Sequence, residues 1–261
     1  DQIVSDLKWL GLEFFQQVKQ SDRLDVYKRV KAELIAKGKL YPCFETAEEL
    51  AIQRKIQLAG GVPPIYDRKS LELTEEQKED LIAKGVKPYY RFLLDDEEIS
   101  WNDKIKGRIT YKARSFSDPV LVRADESPTY TFCSVVDDAE FKITDIIRGE
   151  DHVTNTVIQI QIFKALGAKI PEFSHLGLLK TKEGEISKRY GGYDIKSLRA
   201  AGIDNMTISS YLSHIGSSMN VRATNSFADL ANDFSLKKFS AGAIFYDEQD
   251  ITKLNRKVIS N

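Results

Sequence analysis

The chain has few cysteines and no long apolar segment. Its 261 residues include only Cys43 and Cys133, which lie far apart and outside any metal-ligand spacing. This scarcity excludes a disulfide scaffold and is typical of a reducing compartment. An apolar run long enough to span a membrane and a signal-peptide pattern are also missing, so we expect no membrane association and a cytoplasmic location.

An excess of basic charge is missing as well. The sequence has 38 lysines and arginines against 39 acids, which gives a net charge of −1. A general nucleic-acid binder with a strongly basic field is therefore excluded, although a local basic face is not. Apolar residues make up 42% and charged residues 30% of the chain. These values are ordinary for a folded protein of one large domain or two to three small ones.

Apolar spacing and turn signals predict an α/β chain. We expect a helix that starts near residue 24, capped by Ser21 or Asp22, and capping boxes at Thr46 and Thr74. The other helices are predicted at residues 2–10, 153–166, 194–201, 207–214 and 226–232. The predicted strands lie at residues 89–94, 98–101, 107–112, 119–123 and 173–179.

Two dense apolar runs, residues 130–136 and 143–147, are short and rich in β-branched or aromatic residues, which predicts two buried strands. Charged residues follow both runs. Ligands of open α/β sheets bind beyond the carboxyl ends of strands, so Arg148 is the first residue that we place in a binding site. Asp151 is predicted to cap the next helix. A solvated turn before a capped helix explains residues 148–152 equally well. Asp137 and Asp138, after the first run, could hold a metal, cap a helix or form ion pairs.

Two basic segments also suggest phosphate binding. Ser187, Lys188 and Arg189 follow a glycine-containing turn and suit a loop that closes over phosphates, although plain surface loops with this composition are more common. The second segment suits contact with a phosphate backbone, and a solvated strand face is the equal alternative. It contains Lys104, Lys106, Arg108, Lys112 and Arg114.

Together these motifs resemble the glutamyl-tRNA synthetase family, bacterial type, of the class I aminoacyl-tRNA synthetases. The similarity covers nearly the whole chain. Its motifs lie at residues 6–12, 20–27, 64–67, 130–138, 147–152 and 186–189, and residues 186–189 are similar to the second class I signature. Ser213-His214-Ile215-Gly216 contains the start of the first signature but lacks its second histidine, so we interpret it as a helix and its cap.

The resemblance implies a Rossmann-type catalytic domain that lacks its first strand and occupies residues 1–38 and 126–192. It further implies an α+β insert for the tRNA acceptor end at 39–125 and a helical stem-contact region at 193–261. The implied reaction is ATP-dependent ligation of L-glutamate to tRNA through a glutamyl-adenylate, with Mg²⁺ accompanying ATP. The implied partner is tRNA(Glu), with tRNA(Gln) an open second substrate, and we expect a monomer.

The resemblance also implies residue roles. Tyr130 and Arg148 are expected to bind glutamate, and Lys188 is expected to be catalytic by neutralising phosphate charge. The expected ATP-binding residues are Asp151, His152, Ser187, Lys188 and Arg189.

Three departures from the family pattern qualify the expectation. Glu185 replaces the first lysine of the second signature. Cys43-Phe44-Glu45 stands where zinc-binding members carry Cys-x-Cys, so we expect no zinc and no other protein-held metal. The family's opening segment, with its His-Ile-Gly-His signature, is missing. We therefore expect a fragment that is inactive alone. A paralogue that glutamylates queuosine in tRNA(Asp) and a non-catalytic tRNA-binding module are the alternatives.

Overall fold

The computed structural model describes residues 2–181, 184–185 and 194–260. The helices are α1 (Gln2–Trp9), α2 (Leu24–Ala36), α3 (Ala47–Ala59), α4 (Glu75–Ala83), α5 (Tyr130–Glu140), α6 (Val153–Leu166), α7 (Ile195–Ala200), α8 (Asn205–His214), α9 (Phe227–Asp233) and α10 (Glu248–Ile259). The strands are β1 (Leu40–Cys43), β2 (Tyr89–Phe92), β3 (Glu98–Asp103), β4 (Gly107–Lys112), β5 (Val120–Val122), β6 (Asp145–Gly149), β7 (Glu172–Leu176), β8 (Leu179–Thr181), β9 (Gly184–Glu185) and β10 (Ile244–Phe245). Within these ranges no helix is both long enough and apolar enough to cross a membrane.

The strands form small sheets that alternate with helices along the chain. Strands β1, β2 and β5 make an antiparallel sheet, and β3 pairs with β4 in a hairpin. Strands β6 and β7 are parallel and are joined through α6, as parallel neighbours require a crossover connection. Strand β8 lies between β9 and β10. The predicted α/β class is therefore confirmed.

Local capping signals explain where several helices begin. Thr46 and Thr74 each form the predicted capping box, with Glu49 and Gln77 as the reciprocal partners. The predicted cap of α2 is wrong. Ser21 and Asp22 lie inside a 3-10 turn, and Arg23 precedes the first residue of α2 without a side-chain cap bond.

The prediction of a buried strand at residues 130–136 is also wrong, because these residues form the start of α5. Phe132, Cys133 and Val136 are buried and recur at helical spacing, so one helical face enters the core. Packing of this face outweighs the β preference of the valines and aromatic residues. The second apolar run does form a strand, β6, displaced slightly towards Arg148, but the predicted burial is wrong, since Ile143 is 40% and Ile147 is 49% exposed.

One hydrophobic cluster joins α2, α5, α6 and β7 to the strands of the 39–125 region, and among its fully buried side chains are Leu34, Phe92, Phe132 and Phe163. A second cluster joins Leu10, next to α1, to α8 and α10 near the other end of the chain. Helix α10 and strands β1, β8, β9 and β10 were not among the predicted elements. The boundaries that divide the chain into four regions stay a prediction.

Candidate active site

Arg148 lies at the carboxyl end of β6, where the sequence places it. In the parallel β6–β7 pair, Arg148 is opposite His175 and Gly149 is opposite Leu176. The Arg148 side chain is half-buried. It therefore lies at a strand end that a ligand can reach, which the strand-end argument anticipates.

Helix α6 and strand β7 hold the Arg148 guanidinium in one orientation. Its Nε donates to Nε2 of His175 at 3.2 Å, and its Nη2 donates to Thr156 Oγ1 at 2.8 Å and to Gln159 Oε1 at 2.7 Å. Thr156, Gln159 and His175 are at most 1% exposed. Because its acceptors are buried and fixed, Arg148 is preorganised for a carboxylate or phosphate.

The surroundings of Arg148 are polar on its open side. Burial lowers the pKa of Arg148, while the Tyr130 hydroxyl and the carboxyl groups of Asp138 and Asp151 favour the charged form. An arginine stays protonated under such a shift. The guanidinium therefore offers a full positive charge in a partly dry site, where attraction to an anion is stronger than in water.

Tyr130 and His152 lie beside each other near this arginine. Tyr130 is in the first turn of α5 with 56% of its surface exposed, and its ring centroid is 5.9 Å from that of His152. The Nδ1 of His152 is 3.0 Å from the amide nitrogen of Asn155. The structure thus brings together Tyr130, Arg148 and His152, which the sequence places 22 residues apart or less.

Asp151 lies next to this group, but it does not cap α6 as predicted. A 3-10 turn, Glu150–His152, separates β6 from α6, and the residue before α6 is His152, without a side-chain cap bond. Asp151 Oδ2 is instead 3.7 Å from Nε2 of His152. A Cβ on Gly149 would lie 2.5 Å from Asp151 Oδ1, so glycine at 149 allows this close approach.

Asp137 and Asp138 have different surroundings. Asp137 accepts hydrogen bonds from Arg23 Nε at 2.9 Å and from the Tyr27 hydroxyl at 2.8 Å, so its pairing role is confirmed. Asp138 is half-buried, and burial together with Asp137 raises its pKa to about 6. In the ranges that the structure describes, no cluster of three or more histidine, cysteine or acidic side chains is suited to hold a metal.

The basic strand region mostly makes internal contacts. Lys104 pairs with Asp145 at 2.5 Å and with Glu172, and Lys106 pairs with Glu150 at 2.6 Å. These contacts fasten the turn between β3 and β4 to the β6–β7 pair. Arg114 pairs with Asp96 at 3.2 Å. For Lys104 and Lys106 the structure favours an internal role over a free phosphate-binding face, whereas the Arg114 ion pair lies at the surface.

The sequence reasoning missed a buried pair behind Arg148. His175 Nδ1 is 2.6 Å from Asp103 Oδ2, and both side chains have no exposed surface. Asp103 is the last residue of β3 and His175 lies in β7, 72 residues later along the chain. No local pattern signals a pair with this separation. A histidine in the predicted strand, two residues after Phe173, is the one sign that the sequence offers.

The remaining predicted site residues, Ser187, Lys188 and Arg189, lie outside the described residues. Their predicted roles stay predictions. Ser213-His214-Ile215-Gly216, by contrast, is confirmed as the end of α8. His214 is its last residue, and Gly216 has a φ of +74°, the left-handed conformation that suits glycine after a helix.

Comparisons with known proteins identify the family of this chain. The model of the class I tRNA synthetase (E and Q) catalytic domain matches residues 1–253. Glutamate–tRNA ligase 1 of Rickettsia felis is 48% identical over 260 residues, and glutamate–tRNA ligase 2 of Orientia tsutsugamushi is 49% identical over 261. Each comparison covers 99% of this chain and 58% of the relative's length.

A solved structure is similar over the same extent. The crystal structure of a glutamate tRNA ligase from Elizabethkingia meningosepticum, in complex with its amino acid, superposes with a TM-score of 0.86 at 26% identity. The match covers 99% of this chain and 59% of that one. The match of the catalytic-domain model over residues 1–253 shows that this chain belongs to the class I tRNA synthetases (E and Q).

Proposed function

We propose that this chain takes part in the ATP-dependent ligation of L-glutamate to tRNA through a glutamyl-adenylate. The observation that carries the proposal is the Arg148 guanidinium, fixed by Gln159, Thr156 and His175 at the end of β6. Among the described contacts Nε and Nη2 of Arg148 donate to these three side chains, which leaves Nη1 to donate charge-assisted hydrogen bonds to a carboxylate. The relatives named as glutamate–tRNA ligases support glutamate as the amino acid.

In this proposal Arg148 pairs with a carboxylate of glutamate and the exposed Tyr130 hydroxyl donates to the same substrate. His152 and Asp151, one turn further along the chain, contact the adenosine part of ATP. Ser187, Lys188 and Arg189 contact the phosphates, and Lys188 neutralises the charge that develops there. These assignments rest on the resemblance and, for the residues of the described site, on the proximity of Tyr130, Arg148 and His152.

The proposed metal requirement is Mg²⁺ bound with ATP and no zinc. Mg²⁺ in such sites is held largely by substrate phosphates and water, so it does not require a dedicated cluster of protein ligands. At the predicted zinc-free position, Glu45 accepts hydrogen bonds from the hydroxyls of Tyr66 at 2.7 Å, Ser70 at 2.8 Å and Tyr89 at 3.0 Å. Burial raises the pKa of Cys43 to about 11, which favours the thiol over the thiolate that zinc binds.

The proposed partners are tRNA(Glu) and L-glutamate, with tRNA(Gln) as a second acceptor, and the proposed state is a cytoplasmic monomer.

The experiment that tests the proposed function is aminoacylation with labelled glutamate and ATP, using tRNA(Glu) and tRNA(Gln) separately. Two proteins are assayed: residues 1–261 alone, and a form extended to the length of the relatives. Charging of tRNA(Glu) by the extended form is the expected result, and charging of tRNA(Gln) defines specificity. Failure of the extended form to charge either tRNA contradicts the proposal.

A further inference from the structure

The buried Asp103–His175 pair lies directly behind Arg148, and of the two residues only His175 contacts Arg148 among the described contacts. Asp103 belongs to the β3–β4 hairpin, whereas Arg148 and His175 belong to β6 and β7. Burying a carboxylate is costly unless its oxygens accept hydrogen bonds. The arrangement of these bonds determines which nitrogen of His175 carries a proton.

Each oxygen of Asp103 has a distinct set of donors. Oδ1 accepts from three backbone N–H groups, those of Ile105 at 3.1 Å, Lys106 at 3.0 Å and His175 at 3.1 Å. Oδ2 is 2.6 Å from Nδ1 of His175. Although burial alone raises it, these hydrogen bonds hold the pKa of Asp103 below its ordinary value. Asp103 is therefore a carboxylate, and the atom that faces it, Nδ1 of His175, donates a proton to it.

The other nitrogen of His175 faces donors. Arg148 Nε lies 3.2 Å from His175 Nε2, and the Thr156 hydroxyl lies at the same distance. Burial lowers the pKa of His175 in spite of Asp103, so the ring is neutral at neutral pH. A neutral imidazole with its proton on Nδ1 has a lone pair on Nε2. This tautomer is the one that can accept the Nε–H of Arg148.

We propose that Asp103 and His175 are positioning residues for Arg148: Asp103 fixes the His175 tautomer, and His175 Nε2 fixes the plane of the guanidinium. The proposal rests on the proposed function, since it assigns Arg148 to the carboxylate of the substrate. It also gives the β3–β4 hairpin a role in the amino-acid site, although this hairpin contributes no side chain that touches the substrate in the proposed arrangement.

The first test is Asp103→Asn, compared with wild type. Three backbone N–H groups keep the amide oxygen at the Oδ1 position, so the amide N–H₂ faces His175 Nδ1 and requires it to accept. The proton then moves to Nε2, where it opposes the Nε–H of Arg148. Nitrogen NMR of the full chain, which has only three histidines, reports this tautomer. We expect the Nδ1–H form in wild type and the Nε2–H form in Asp103→Asn, with a shifted Arg148 Nε–H signal. Affinity for glutamate should fall roughly tenfold or more.

The matched control is Asp118→Asn. Asp118 is likewise buried, at 1% exposed, and accepts from the Tyr41 hydroxyl at 2.7 Å and from the Leu94 backbone N–H at 3.1 Å. It makes no contact with His175 or Arg148 among those described. A change at Asp118 is therefore expected to lower stability while leaving the His175 tautomer and the Arg148 signal as in wild type.

If Asp103→Asn does not fold, two substitutions of His175 test the positioning role instead. The amide of His175→Asn reaches the Nδ1 position and satisfies Asp103 but offers nothing to Arg148. The longer His175→Gln places an amide oxygen where Nε2 was. We expect His175→Asn to lose more glutamate affinity than His175→Gln, whereas a purely structural role predicts losses that follow stability alone.

The outcomes separate this proposal from the proposed function. An unchanged His175 tautomer and Arg148 signal in Asp103→Asn, or an Arg148 signal in His175→Asn equal to that of wild type, overturns the positioning role. If wild type binds no glutamate while the Arg148 signal responds as expected, the glutamate assignment fails and the positioning of Arg148 stands.

Discussion

The Nε atom of Arg148 lies 3.2 Å from Nε2 of His175, its opposite residue on the adjacent parallel strand. Opposite residues in a sheet point to the same face, so the strand register itself brings the two side chains together. Thr156 and Gln159, one turn apart on α6, complete the contacts on the buried side. The sheet and the following helix therefore fix the charged group before any substrate arrives.

The first prediction concerns Gln159, whose Oε1 accepts from Arg148 and whose Nε2 donates to Ser134 Oγ at 3.1 Å. Gln159→Glu keeps the shape but places a carboxylate against the guanidinium. This internal anion competes with the substrate carboxylate, and we expect the KM for glutamate to rise roughly tenfold or more.

Gln161→Glu is the control for Gln159→Glu, since Gln161 lies on the same helix, is 2% exposed and contacts the backbone of Asp95 instead of Arg148. Its KM should stay within about twofold of wild type. Equal effects of the two substitutions would indicate general damage to α6 and not competition for Arg148.

The second prediction concerns stability at different pH values. The pKa of Asp138 is about 6 in the folded state, raised by burial and by Asp137, against about 3.9 in an unfolded chain. The folded state therefore holds its proton to higher pH, and ionisation of Asp138 lowers stability as the pH rises from 4 to above 6. At pH 8 the free energy of unfolding of Asp138→Asn, measured with urea, should exceed that of wild type by up to about 3 kcal/mol. This difference should shrink towards pH 4.

For comparison, the pKa of Asp125 is shifted in the opposite direction, so its effect on stability has the opposite dependence on pH. Hydrogen bonds from the Ser127 side chain and backbone lower the pKa of this exposed carboxyl. Its contribution is present above its unfolded pKa and is lost as the pH falls through the folded pKa, so Asp125→Asn should lower stability at pH 8 and lose its effect in acid. A stabilising effect of Asp138→Asn that persists unchanged at pH 4 would contradict the assigned cause.

The third prediction concerns the hydrogen bonds around Glu45. The Tyr66 hydroxyl donates to Glu45 Oε1 at 2.7 Å and accepts from the Ser70 backbone N–H at 3.3 Å. Tyr66→Phe leaves both groups short of a partner, and we expect the free energy of unfolding to fall by about 1.5–3 kcal/mol. Tyr130→Phe, at a residue that is 56% exposed, should change it by less than about 0.5 kcal/mol. Urea unfolding at pH 7 measures both, and equal values would contradict this account.

The fourth prediction concerns metal removal. Under the proposed zinc-free state, in which Glu45 accepts hydrogen bonds from the hydroxyls of Tyr66, Ser70 and Tyr89, treatment with a zinc chelator should leave the thermal midpoint unchanged. Metal analysis of the purified protein should find less than about 0.1 zinc per protein molecule, whereas a structural zinc site would hold about one. A midpoint that falls with chelator and recovers with added zinc would contradict the zinc-free assignment.

The sequence predicts what depends on neighbouring residues. The capping boxes at Thr46 and Thr74, the helix after His152 and the position of Arg148 at a strand end are all local, and all are confirmed. The segment from Tyr130 was predicted incorrectly because its composition favours a strand, whereas burial of Phe132 and Val136 on one face requires a helix.

The supporting residues of the site were beyond reach of the sequence for a different reason. Asp103 and His175 meet only because the turn of the β3–β4 hairpin packs against β7, where Lys104 N donates to the Phe173 carbonyl at 3.0 Å. Thr156 and Gln159 look like ordinary polar interruptions of an apolar helix. Their role follows from burial beside Arg148, which local spacing does not encode.

The central claim is that Arg148 binds the carboxylate of glutamate, and the most direct test is aminoacylation of tRNA(Glu) by Arg148→Ala in the extended protein. The control, Arg29→Ala, removes an arginine whose side chain is 67% exposed and paired with Glu140. We expect Arg148→Ala to lose at least about 100-fold in kcat/KM for glutamate, the order expected when charge-assisted hydrogen bonds to a substrate carboxylate are removed. Arg29→Ala should match wild type. Undiminished charging by a folded Arg148→Ala protein would contradict the account.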